Sequence, residues 1–154
     1  MPRPWGEEVA ARYPRDADIT LLYAEALMNL SPWDYWEAAG ARPKGRTAEI
    51  ITGLEKVLQR QPDHPGAIHF YIHMMEASTD PERALPYARK LGSLMPGAGH
   101  IVHMPFHIDY RVGRYKDALL VNQRAVAAPM KPTSPRPKQR ASTRSPTTRT
   151  TSIP

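Results

Sequence analysis

The residues best suited to chemistry in this chain are its six histidines, His64, His69, His73, His100, His103 and His107. His69–His73 and His103–His107 each show H-x-x-x-H spacing. On a helix, residues four apart are stacked neighbours, about 5–6 Å apart at Cβ, so each pair is spaced to share a metal ion. The chain has no cysteine, which leaves imidazole and carboxylate as donors, a set that suits zinc, iron, copper or nickel. Packed helices lie about 8–10 Å apart, close enough for imidazoles on adjacent helices to meet. His69, His73, His103 and His107 are therefore expected to form a four-nitrogen site, with Glu76 or Glu25 as an oxygen ligand and zinc–nitrogen bonds near about 2.0–2.1 Å. An open coordination position would support chemistry on bound water or dioxygen. H-E-x-x-H is absent because Phe70 follows His69, and no general base can be named.

Two other readings stay open. The histidines can act as hydrogen-bond donors in a polar groove that takes a peptide or a small acidic ligand. They can also pack against neighbouring segments with no ligand at all. His64 stands apart, because it precedes Pro65 and reads as a cap or turn residue. Met74, Met75, Met95 and Met104 read as core filler rather than copper ligands. Tyr71, Tyr87 and Tyr115 read as packing residues.

The elements that must position these side chains repeat. His69 and His73 recur 34 positions later as His103 and His107, and Pro62, Ala84 and Leu85 recur as Pro96, Ala118 and Leu119. A fixed period points to stacked copies of one helix-turn-helix unit. The expected helices run from Trp5 to Tyr13, Asp16 to Leu30, Thr47 to Gln61, His64 to Ser78, Asp80 to Met95, His100 to Val112 and Tyr115 to Ala127. Ile19, Leu22, Tyr23, Ala26, Leu27 and Leu30 should form one apolar stripe, and Ile50, Ile51, Leu54, Val57 and Leu58 another. Asp16 or Asp18, Thr47 and Asp80 are the expected caps. Pro86 should bend its helix. Trp33 to Arg46 reads as a loop, punctuated by Gly40, Pro43 and Gly45. Its Trp33, Tyr35 and Trp36 form either a binding lip or a hydrophobic plug, with the plug favoured.

Gly113-Arg-Tyr115-Lys-Asp-Ala118, with Ala84 and the closing prolines Pro62 and Pro96 in register, resembles the core of a tetratricopeptide (TPR) repeat. The resemblance covers about residues 1–128, with the best repeats at 62–95 and 96–129. The runs Pro-Trp-Asp-Tyr-Trp, His-Pro-Gly-Ala and Gly-His-Ile-Val-His-Met-Pro are similar to a histidine-rich bacterial subfamily of such repeats, which brings no activity with it. The sequence departs from the pattern at Thr79, where a turn glycine is usual. It departs again at Pro105, which must kink the last histidine-bearing helix or delay its start.

The resemblance implies an all-α, TPR-like solenoid of antiparallel helix pairs, with the first helix of each pair lining a concave groove. Carried over, the groove residues are Asp18, Glu25, Gly66, His69, His73, Glu76, His100, His103, His107 and Tyr110, with Gly113 at the turn, Tyr115 beneath it and Ala118 at the helix crossing. The implied role is an interaction scaffold that binds a partner protein, peptide or small ligand. A metalloprotein with its site between two repeats is the alternative.

Residues 129–154 are rich in Pro, Ser, Thr, Lys and Arg and read as a disordered tail. The net charge of +6 comes from this tail, since its six basic residues stand without an acid while the first 128 residues hold fifteen charges of each sign. Nucleic acid is accordingly a disfavoured partner. No signal segment or membrane-spanning run is evident, so a cytoplasmic protein is expected. Two regular repeats, an irregular one and a leading half unit suggest a piece of a longer protein. Such a piece should be marginally stable and prone to self-association through its ends.

Overall fold

The computed structural model describes residues 6–128, and the tail expectation lies outside them. Within that range the chain is all-α, with one minimal β-ladder. The helices are α1 (Glu7–Arg12), α2 (Ala17–Met28), α3 (Thr47–Arg60), α4 (Pro65–Met75), α5 (Leu85–Leu94), α6 (Gly99–His103), α7 (Pro105–Arg111) and α8 (Tyr115–Ala127). Among the described residues no helix is long and apolar enough to cross a membrane.

Local chemistry explains most boundaries. The Asp16 side chain accepts a hydrogen bond from the Ile19 backbone N–H and caps α2. His64 Nδ1 takes the Ala67 N–H at 3.3 Å, and Pro65 follows at the first helical position, so His64 is a helix cap. Two expected caps do not form. Thr47 lies inside the first turn of α3 and is buried, and Asp80 makes no capping bond. A 3₁₀ turn, Pro81–Ala84, comes before α5 and puts Pro86 in its first turn, where proline is tolerated. The expected bend is thus replaced by a turn ahead of the proline. Pro105 divides the last histidine-bearing segment into α6 and α7.

The core is apolar and continuous. Ile50, Ile51, Leu54, Val57 and Leu58 of α3 are buried, as the stripe required. On α2 the buried residues are Ala17, Ala24, Leu27 and Met28, while Leu22 and Leu30 are exposed, so the expected stripe is corrected. Nearly every position from Ile19 to Met28 is apolar, and spacing singles out no face. Met74, Met75 and Met104 are fully buried filler, whereas Met95 is exposed. Tyr71 is buried but Tyr115 is exposed, edge-on to Tyr110 rather than packed beneath the turn. Gly113 adopts φ 77°, as its turn requires, and Ala118 is buried.

Helix α4 packs between α3, α5 and α7, and α7 packs on α5 and α8. The segment between α2 and α3 is more than a loop. Trp36–Glu37 pairs antiparallel with Arg42–Pro43 around a 3₁₀ turn, Ala38–Gly40. The hairpin is pressed on the end of α4: the Thr79 N–H donates to Gly40 O, and Trp36 Nε1–H donates to Met74 O at 2.7 Å.

Candidate metal centre

Helices α4, α6 and α7 bring five of the six histidines into one ring. Neighbouring imidazole centroids are 5.0 Å apart for His69–His73, 5.2 Å for His73–His107, 4.9 Å for His107–His103, 6.3 Å for His103–His100 and 5.0 Å for His100–His69. His103 and His107 still meet although Pro105 stands between them. His64 lies outside the ring, 3.5 Å from the exposed Asp18.

The expected four-nitrogen set does not gather at one point. Among the described residues, the groups whose donor atoms all lie within 4.8 Å of one another are His69, His73 and His100, and His73, Glu76 and His107. His103 belongs to neither and touches His107 instead, Nε2 to Nε2 at 3.2 Å. The break at Pro105 sets α6 off from α7, and His100 and Glu76 take the places expected for His103. Of the two candidate carboxylates, only Glu76 joins the histidines. Glu25 is exposed on α2 and forms no hydrogen bond to them among the described residues. Gly66 sits against Leu21 and His64.

Glu76 caps the C-terminus of α4 and is mostly buried. Its Oε1 lies 2.9 Å from His73 Nδ1 and its Oε2 lies 2.7 Å from His107 Nδ1. Burial by itself would raise this carboxyl, but the hydrogen bonds from His107 and His73 outweigh it and hold the group at about 2. Burial, helped by the imidazoles of His73, His100 and His107, pushes His69 down to about 4. Burial and the same kind of neighbour push His100 down too. His69 is therefore neutral at pH 7, the state that metal ligation needs.

One chain of polar contacts links Glu76 to α8. Glu76 Oε2 meets His107 Nδ1, His107 Nε2 meets His103 Nε2, and His103 Nδ1 meets Asn122 Oδ1 at 2.6 Å. Two neutral imidazoles bring one N–H each, which satisfies all three contacts when the Asn122 amide donates to His103 and leaves one contact without a hydrogen when it accepts.

A cleft of about 310 Å³ opens beside this point, lined by Trp33, Tyr35, His73, Glu76, Phe106, His107, Tyr110 and Arg111 among others. Tyr35 is buried and Trp36 half-buried, so those two aromatics form the favoured plug, but Trp33 is 72% exposed and meets the His73 ring edge-on at 5.2 Å. Trp33 thus stands outside the plug and lines the cleft. Asn122, Phe106 and Arg111 are site neighbours that no spacing pattern marks; Asn122 comes from α8. Of three larger hollows among the described residues, those of about 610 and 590 Å³ are lined without any histidine, and one of about 490 Å³ is lined by His100 and His103.

No family model matches this chain, and neither does any curated protein or solved structure.

Proposed function

We propose that the protein binds a divalent transition metal, zinc or iron(II), through His73 Nδ1, His107 Nδ1 and the Glu76 carboxylate. The convergence of His73, Glu76 and His107, whose donor atoms all lie within 4.8 Å of one another, carries this reading. Two histidines and one carboxylate are a donor set that both metals use. Tetrahedral ligands about 2.1 Å from zinc lie about 3.4 Å apart, so the contacts of 2.7 and 2.9 Å, each to a different oxygen of Glu76, would open slightly to admit the ion. With a metal on Nδ1, His107 is left with Nε2–H to give to His103, which gives Nδ1–H to Asn122. Such outer contacts hold metal-binding histidines in one tautomer. The metal would act as a Lewis acid on a ligand or water in the cleft.

Metal analysis of protein purified without an affinity tag tests this, with an expected content near one zinc or iron per chain. Absence of stoichiometric metal, together with an unchanged Tm on adding either ion, overturns it. Asn122→Asp sharpens the test. An aspartate at 122 still accepts the His103 N–H, so metal affinity should hold within a few-fold. If instead the Asn122 amide turns and donates to His103, no cation is needed, and this variant will lose stability with no metal to bind.

We read the scaffold as TPR-like. The 34-residue offset and the packing of α4 on α7, each carrying histidines to one face, support that reading. The second functional reading is a scaffold for a partner protein or peptide. The exposed Leu119, Leu120 and Val126 of α8 favour it, as does the shallow hollow around His100, His103 and Val126. Partner binding that survives complete removal of metal by chelation would support this role over the first.

A further inference from the structure

We infer that the cleft beside Glu76 takes a small aromatic carboxylate. The inference rests on the metal reading for what lies at the floor of the cleft, and on separate residues for its walls. Trp33 forms one wall. It is a tryptophan left 72% exposed, and it is held at φ 62°, a left-handed conformation that non-glycine residues seldom adopt. Residues kept in such conformations cluster at ligand sites, where the surroundings over-determine them. Phe106 and Tyr110 also line the cleft, stacked with ring centroids 5.6 Å apart and an interplanar angle of 28°. Tyr110 is likewise exposed. A flat ring entering the cleft would meet the π-faces or edges of these aromatics, a preference that a saturated ring does not share.

Arg111 stands at the rim. Its Nε–H is used on the Glu76 backbone carbonyl, which fixes the direction of the side chain and leaves the terminal guanidinium nitrogens for an anion. A planar guanidinium recognises a carboxylate with two parallel hydrogen bonds. The cavity of about 310 Å³ is at the small end of ligand pockets, and it holds a single-ring acid rather than a folded partner. The same chemistry is offered by a free aromatic acid and by a peptide that ends in phenylalanine.

Isothermal titration of the zinc-loaded and the metal-free full chain with 3-phenylpropionate tests the proposal. The controls are 3-cyclohexylpropionate and a blocked pentapeptide ending in Phe. The aromatic acid should bind about tenfold tighter than its saturated analogue, and Trp33→Ala and Arg111→Gln should each weaken it about tenfold while zinc affinity changes by less than that, although both side chains touch proposed ligands. Both side chains are exposed, so neither substitution opens the core. Tighter binding of the peptide identifies a chain terminus as the source of the same group. Equal affinity for the two acids, or undiminished binding by both variants, overturns the proposal. Zinc binding without acid binding removes the cleft alone, and acid binding by a chain that takes no zinc removes the metal alone.

Discussion

Glu76 Oε2 lies 2.7 Å from Nδ1 of His107, a residue 31 positions further along the chain. The same carboxylate reaches His73 on its own helix. One side chain thus joins the two helices that carry the histidines, and it is ionised far below neutral pH. Glu76→Gln should lower affinity for zinc or iron(II) by about 100-fold, by analogy with the loss of a ligand or of its supporting carboxylate. It should also lower the stability of the metal-free chain by about 2 kcal/mol, because charge-assisted hydrogen bonds become neutral ones. Competition with a chromophoric chelator reads the first effect, and urea unfolding the second. Wild-type affinity in this variant would show that the metal, if any, sits on His69, His73 and His100 instead.

The legible and illegible parts of this chain differ for physical reasons. Helix α3 could be read because its apolar residues alternate with charged ones at helical spacing, and burial followed the pattern. Helix α2 hid its buried face because almost all of its surface is apolar. The gathering of histidines was legible from their 34-residue offset, which survives the Pro105 break. Which of them share a point was not, because a proline kink moves a helix axis by amounts that spacing does not encode. Asn122 was out of reach for a related reason: it enters from α8, and no periodicity ties that helix position to His103. Trp33 and Tyr35, two residues apart, took opposite roles. One was fixed in the left-handed region and the other was buried, a division set by the hairpin backbone and invisible in composition.

Acid should destabilise the metal-free protein, and the sign follows from the shifts. His69 is lowered from 6.5 to about 4, so between those values the unfolded chain takes up a proton that the folded chain refuses. Stability is therefore full above about 6.5 and declines as pH falls toward about 4. His100 acts in the same sense. Glu76, lowered from 4.5 to about 2, adds a further decline through that lower window. Thermal unfolding should show Tm falling on the order of 10 °C between pH 7 and pH 4. In His69→Gln the part of this decline above pH 4.5 should shrink. An unchanged profile in that variant would mean that His69 is freely solvated.

Gly40 couples the hairpin to α4. It sits at φ 94°, and an added Cβ would come within 2.4 Å of the Ala77 carbonyl oxygen and 2.9 Å of the Ser78 carbonyl carbon. Both are backbone atoms of the turn that follows α4, so neither can swing aside. Gly40→Ala should cost about 2–4 kcal/mol through the clash and the left-handed backbone together. Because the hairpin also carries Trp33 to the flank of His73, the same variant should lose Trp33-dependent binding in the cleft before it loses its helices. Circular dichroism with intrinsic tryptophan fluorescence would separate the two losses.

Asp109 is the one side chain of the described residues with a buried polar atom lacking any hydrogen-bond partner, its Oδ1. Its side chain is 5% exposed, and the nearest cation, Arg114 Nε, stands 3.9 Å away while bonding Asp117 at 2.9 Å. Burial, reinforced by the charge of Asp117, raises the Asp109 carboxyl above its ordinary value of 3.8. Here the sign is the reverse of that for Glu76. The folded chain keeps its proton to higher pH than the unfolded chain does, so ionisation costs stability as pH rises past 3.8. Asp109→Asn removes that cost and preserves the shape. It should stabilise the protein by about 1 kcal/mol near neutral pH, and the gain should dwindle in acid, where the wild-type carboxyl is already neutral. Paired urea titrations at pH 7 and pH 4 check both statements. Destabilisation at pH 7 would mean that attraction to Arg114 across 3.9 Å exceeds the cost of burying the charge.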